Sequence, residues 1–443
     1  MDTRTVQALI RFGLGRRGGE AAPGNPDAWL ARQLDGPDPA LAVPGSSFAD
    51  GLIALREDRK EREALKLTGV PPGAPGAESA PHRVRDMIRA DGKALADHVL
   101  ATDMPFRERL VWFWANHFTV SVRRPECAAL VMPFLREAIR PNVNARFVGM
   151  LFAVMRHPAM LTYLDNAQSI GPNSPVGLKT HRGLNENLAR ESLELHTVSP
   201  AAGYTQADVT EYAKLLTGWS FAPNYNPPQF LFRLNAHEPG PKTVMGHTFP
   251  AGAEGGIAIL TWLGTHPATY RNIATKLVRH FVADSPPHAD VARIEAVLRA
   301  TGGDLKAASL ELTRLPDAWT PMAKLRSPWD YVVAVARALD LPPDKRPEPA
   351  GIMAKLGQPP FNAPLPNGWP DTASEWSAPE TLLRRIDWAY DVTGHAGDVD
   401  AAALAETTLG PLARPDMLKE ITRAGSRRDA LTLLLTSPEF QRR

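Results

Sequence analysis

Residues 184–197, Leu-Asn-Glu-Asn-Leu-Ala-Arg-Glu-Ser-Leu-Glu-Leu-His-Thr, combine helical propensity with a dense set of groups that could do acid/base chemistry. Leu184, Leu188 and Leu195 mark an apolar face. Glu191 falls seven residues after the first, three after the second and four before the third, which predicts a carboxylate in the middle of a buried stripe. Asn187 and Glu194 lie about one turn to either side, so an amide and a second carboxylate are expected to point inward with it. Arg190, four after Glu186 and four before Glu194, can neutralise one of them. His196 ends the helix and Tyr204 follows its last turn. Carboxylates so placed act as general acid and base, or form a paired structural network, because a buried charge is costly without a partner.

A second set is Trp114-Ala-Asn-His-Phe118. Phe106, Leu110, Phe113, Trp114 and His117 share one helix face, so the imidazole of His117 is expected inside, with the Asn116 amide beside it. Asn, His, Tyr, Arg and Glu together suit abstraction of a proton beside a carboxylate, or acid/base hydrolysis. Glu191, His117, Glu194 and Tyr204 are therefore the expected catalytic groups. Asn116, Asn187, Arg190 and His196 are the expected substrate contacts. The Pro-rich loop at residues 356–371 adds Gln358, Asn367 and Trp369 as candidates for lining a cleft.

Other chemistries find less support. The helices above contain no His-x3-His, HExxH or Glu-x-x-His, and no metal or cofactor is expected; His237 and His247, flanking the predicted hairpin, are the one further pair that could converge. Gly-Leu-Gly-Arg-Arg-Gly at residues 13–18 has the letters of a dinucleotide loop without a preceding strand. There is no G-x-S-x-G, and the single cysteine, Cys127, excludes an intrachain disulfide.

Positioning such groups needs a large core, and 443 residues with 44% apolar content can build one. Lys and Arg number 50 against 48 Asp and Glu, a net charge of +2, which gives no basic surplus for nucleic acid. The longest apolar run, residues 110–115, is too short to span a bilayer, and the first residues lack a secretory h-region, so a cytoplasmic location is expected. The 42 prolines are roughly twice the usual share of about 5%. Pro105, Pro125, Pro141, Pro158, Pro267, Pro328 and Pro379 stand near predicted helix starts, which makes proline punctuation for a many-helix fold.

Helical periodicity recurs in Phe147, Met150, Leu151 and Val154, in Val209, Tyr212, Ala213 and Leu216, and in Tyr270, Ile273, Ala274, Leu277 and Phe281. Alternating runs at residues 229–235 and 243–249 predict one β-hairpin. The expected fold is mostly α, a large multi-helix bundle or α/α-toroid-like unit with a small hairpin insertion. Residues 1–67 read as an N-terminal helical segment, 68–81 as a flexible Pro/Gly-rich linker and 82–443 as the main helical domain.

Taken together, Trp114-Ala-Asn-His-Phe118, residues 185–197, Gly203-Tyr-Thr-Gln-Ala-Asp-Val209, Leu216-Thr-Gly-Trp219, His237-Glu-Pro-Gly-Pro-Lys242, Lys276-Leu-Val-Arg-His-Phe281, Lys324-Leu-Arg-Ser-Pro328 and Leu356-Gly-Gln-Pro-Pro-Phe361 resemble the bacterial domain-of-unknown-function family 1800. The likeness runs from Arg11-Phe-Gly-Leu-Gly15 to Ser437-Pro-Glu-Phe440. The sequence departs from the family at Ser192, where leucine is usual, and at Val198-Ser-Pro-Ala-Ala, where a Leu-Gly turn is usual. Membership implies a role paired with a sulfatase-like protein of family 1501, at the cell envelope or on a glycan. The expected function is an enzyme acting on a carbohydrate or related envelope polymer by lyase or hydrolase chemistry. The alternative is a non-catalytic assembly or maturation partner of the sulfatase-like protein.

Overall fold

The computed structural model describes residues 1–67, 82–223, 225 and 228–443; the linker expected at 68–81 lies outside them. Helices dominate, and proline starts many of them: α-helices begin at Pro26, Pro105, Pro158, Pro175, Pro267, Pro328, Pro349, Pro379, Pro415 and Pro438. The missing N–H costs nothing in a first turn, where no intrahelical acceptor exists, and the fixed φ preorganises the backbone. Asp and Ser caps add to this. Thr205 and Asp208 form a reciprocal capping box ahead of the helix Gln206–Leu216. Ser327 accepts from Asp330 N to start the helix Pro328–Leu339, while the Asp330 carboxylate turns away to two arginines.

The periodic faces are buried as expected. Phe106, Leu110, Trp114, Phe147, Met150, Tyr212, Ile273 and Phe281 are almost fully enclosed in one core built largely from residues 106–318. A second core gathers Trp329, Tyr331, Val335, Met353, Trp388 and Leu434. The N-terminal helical segment joins both: Ala8 and Phe12 belong to the first core, Val6, Ile10 and Leu14 to the second. Between them Arg11 donates to the carbonyls of Phe281 (3.0 Å), Val282 (2.9 Å) and Thr320 (2.6 Å). One guanidinium thereby satisfies carbonyls that would otherwise be buried without a donor.

The β structure is small but differs in pairing from the sequence expectation. Gln229–Phe232 pairs back onto Trp219–Ala222, and Lys242–Val244 pairs with His247–Phe249, giving two separate antiparallel hairpins. Trp219-Ser-Phe-Ala, a strand of 4 residues just past the end of the helix Gln206–Leu216, is too short for its alternation to stand out.

Candidate functional site

A cavity of about 250 Å³ opens at the seam between the two cores. Phe113 on its wall belongs to the first core, Trp329 and Met353 to the second. Clefts of this kind favour seams between packed units, where neither core can fill the space. Three segments frame it: the helix Pro105–His117, the helix Pro267–Phe281 and the Pro-rich loop through Gln358, Asn367 and Trp369.

The loop is held by Asn116. Its Nδ2 donates to Trp369 O at 2.9 Å and its Oδ1 accepts from Trp369 N at 2.7 Å, so the amide pairs with the loop backbone as a strand neighbour would. Gly368 makes this approach possible. Its φ is +76°, and a Cβ there would lie 2.5 Å from Asn116 O. Gln358 Oε1 accepts from Trp329 N at 2.8 Å and ties the loop's start to the second core. Aromatic rings line the wall: Trp112 stacks on Phe361 with centroids 5.3 Å apart and tilts against Trp329 at 4.7 Å. The indole N–H groups of Trp112 and Trp369 are buried without an acceptor.

Lys276, Arg279 and His280 reach the cavity from one helix, since steps of three and four share a face. Lys276 Nζ donates to Leu195 O at 2.8 Å and faces His117 Nδ1 at 3.3 Å. His117 Nε2 in turn lies 3.2 Å from His196 O, and a carbonyl can only accept. The tautomer follows from these partners: Nε2 carries the proton and Nδ1 accepts from the lysine. An ammonium has three N–H bonds, so one remains for the cavity. Burial, then the charge of Arg279, pushes Lys276 down to about 8. Burial, then Lys276 and His196, holds His117 well below the usual histidine range, so it is neutral at pH 7.

His280 is oriented by a carboxylate. Its Nδ1 lies 2.7 Å from Asp371 Oδ2, while its Nε2 is buried without a partner. With the proton on Nδ1, the Nε2 lone pair is bare. Burial lowers His280 more than Asp371 raises it, so the ring is neutral at pH 7. Asp371 also neighbours Lys324, which donates to its backbone carbonyl. Burial works against the Asp371 charge, but His280, Lys324 and Arg443 hold it below the usual carboxylate range. Asp330, the other carboxylate on the wall, is likewise opposed by burial yet held low by Arg109 (2.6 Å) and Arg443 (3.1 Å).

Of the residues singled out from sequence, the cavity brings together Asn116, His117, Gln358, Asn367 and Trp369. Glu191, Glu194, Tyr204, Asn187, Arg190 and His196 are not on its wall. The reason is local. In the helix Asn187–Glu191 and the π-helical turn Ser192–His196 that continues it, the buried stripe runs through Leu188 and Ala189, Ser192 and Leu193, then His196 and Thr197, while Leu184 and Leu195 are only partly buried. Glu191 is thus half-buried beside the stripe, not in its middle, and Asn187 and Glu194 are exposed.

Glu191 is raised by burial and then by Glu194, and the two influence Tyr204, giving a separate polar cluster. Arg190 is engaged with Glu186 and Gln206, each at 2.9 Å. Burial, then Lys276, pushes His196 down to about 3, and its ring packs 5.1 Å from Phe118. The π turn still serves the cavity, because it presents the carbonyls of Leu195 and His196 to Lys276 and His117.

Lys276, Arg279, His280 and Asp371 were missed as chemistry-bearing. Their signal was present: the helix whose apolar face was read as core carries Lys276 and His280 four apart on another face. Asp371, ninety-one residues beyond His280, has no sequence signal that pairs it.

Other candidates resolve as structure. His237 accepts from Gly252 N at Nε2 and donates to Thr217 O, while His247 stacks on Trp262, so the two do not converge. Asp38, His98 and Glu108 bring ligand-type atoms within 4.8 Å of one another. The guanidinium of Arg140 already stands there, donating to Glu108 at 2.7 Å twice and to Asp38 at 3.1 Å. Cys127 is buried and pushed up to about 12, which leaves an inert thiol.

A family model described as a protein of unknown function, DUF1800, matches residues 7–442, and the chain belongs to that family. No curated protein and no solved structure matches it. No helix among the described residues is long and apolar enough to cross a membrane.

Proposed function

We propose that the chain is an enzyme acting on a carbohydrate or related envelope polymer by acid/base chemistry in the cavity at the seam. The observation that carries this reading is the pair on one helix: His280, oriented by Asp371 with a bare Nε2, and Lys276 one turn away with a proton to give. A neutral imidazole and a weakly acidic ammonium are suited to opposite halves of a proton transfer near pH 7. His117 serves as a positioning residue, since its lone pair is committed to Lys276. The aromatic wall of Trp112, Trp329 and Phe361 offers flat apolar surface to the C–H face of a sugar ring. Release of reducing ends from a panel of neutral and acidic polysaccharides tests the reading. The wild type is expected to cleave at least one, and Lys276→Met to do so about 10²-fold or more slowly.

A second reading, docking to a sulfatase-like partner, is favoured by one surface. Leu383, Ile386 and Tyr390 follow helical spacing on Pro379–Thr393 and stay exposed, as does Leu433 on the helix Arg427–Thr436 that packs against it. Co-purification of the two proteins, lost in Leu383→Glu/Ile386→Glu, supports this reading. Unaltered association of that variant contradicts it.

A further inference from the structure

The two carboxylates on the cavity wall decide between the lyase and hydrolase forms of the reading. A glycoside hydrolase needs a protonated carboxylic acid opposite a second carboxylate. Asp330 is bound by Arg109 and Arg443, and Asp371 by His280 and Lys324, so neither holds a proton to donate. What the cavity wall offers instead is cationic: Lys276 and Arg279, set beside the aromatic rings of Trp112 and Trp369. Such a lining lacks only an anion with acceptor oxygens, and a sugar carboxylate supplies both.

We infer that the cavity cleaves an acidic polysaccharide by β-elimination at a uronate residue, with His280 as the base and Lys276 as the acid, an inference that rests on the acid/base reading above. Arg279 faces the uronate carboxylate and stabilises the charge that spreads onto it when the adjacent proton leaves. The C5 proton passes to His280 Nε2, and Asp371 supports the imidazolium that forms. The C5–H electron pair becomes a C4–C5 double bond as the C4–O bond breaks. The leaving oxygen takes its proton from Lys276 Nζ. The sum consumes no water and no oxidant: one chain becomes a fragment with a new hydroxyl and a fragment ending in a 4,5-unsaturated uronate.

The test incubates the purified full chain with polygalacturonate, alginate and hyaluronan, and with carboxyl-reduced polygalacturonate. The ultraviolet absorbance of the conjugated unsaturated acid and the number of reducing ends are followed together. The expected result is that both rise in step on at least one polyuronate, that the carboxyl-reduced polymer is inert, and that His280→Gln lowers the rate by about 10²–10⁴-fold. Thermal melting of His280→Gln checks its fold, a folded variant that keeps the wild-type rate overturns His280 as the base, and the carboxyl-reduced polymer tests the need for a uronate without altering the protein. Reducing ends without unsaturated product overturn the elimination and leave the acid/base reading standing. Cleavage confined to neutral glycans overturns the uronate assignment. Cleavage of no glycan overturns both.

Discussion

His280 Nδ1 lies 2.7 Å from Asp371 Oδ2, and the opposite nitrogen of the same ring is buried with no partner at all. His196 Nδ1 is also buried without a partner, but of the two rings only His280 lines the cavity and has a carboxylate on its other nitrogen. On the proposed acid/base reading this anchored ring is the base. The anchor comes from a loop and the ring from a helix, and Asn116 and Lys324 both hold that loop in place.

The rate on a cleaved substrate is expected to follow a bell-shaped pH profile. It rises as His280 loses its proton, below the ordinary histidine value of 6.5, and falls as Lys276 loses its own at about 8. Asp371 raises His280, so Asp371→Asn moves the acidic limb to lower pH and lowers the plateau rate. Lys276→Arg carries the alkaline limb upward, because a guanidinium keeps its proton. Initial rates across pH for the three proteins check this.

Lys276 also leaves a mark on stability. Its folded value of about 8 lies below the ordinary 10.5, so the unfolded chain binds this proton more tightly. Stability therefore rises between pH 8 and 10.5 on its account, by on the order of 3 kcal/mol. Denaturant unfolding across that window is expected to show the rise in the wild type and a flatter line in Lys276→Met.

The seat of the loop is testable at Gly368. With φ at +76° and a Cβ 2.5 Å from Asn116 O, alanine there forces the loop off the helix. Gly368→Ala is expected to cost about 1–3 kcal/mol and to weaken oligosaccharide binding measured by calorimetry. Asn116→Ala removes two hydrogen bonds to Trp369 and should act in the same direction, by roughly 1–3 kcal/mol.

Acid sensitivity is assigned to a different place. Glu108 is fully enclosed; burial opposes its charge, but Arg140 and His98 bring it down to about 2 from 4.5. Its contribution is complete above pH 4.5 and is lost as pH falls toward 2. Glu108→Gln strips Arg140 of its main partner and is expected to cost about 3–5 kcal/mol at neutral pH, with a shallower acid limb in urea unfolding.

Much of the frame was legible because it is written in short-range signals. The periodic faces around Phe106, Met150, Tyr212 and Ile273, the proline helix starts and the Thr205 capping box all follow from neighbours within a turn. Asn116, His117, Gln358, Asn367 and Trp369 line one cavity, whereas Arg190 and Glu191, expected beside Asn116 and His117, do not. The polar helix was misjudged at Glu191 because its stripe was anchored on Leu184 and Leu195, which are only partly buried, while Ala189, Ser192 and His196 take the enclosed positions. Asp371 was invisible for another reason: its pairing with His280 is a tertiary contact with no local pattern.

The location of the chemistry is tested most directly by comparing glycan cleavage in two variants that each remove a titratable group, His280→Gln inside the cavity and Glu191→Gln outside it. A loss of about 10²-fold or more in His280→Gln, with Glu191→Gln close to wild type, is the result expected. Loss in Glu191→Gln with His280→Gln unimpaired would place the chemistry on the polar helix and contradict the account.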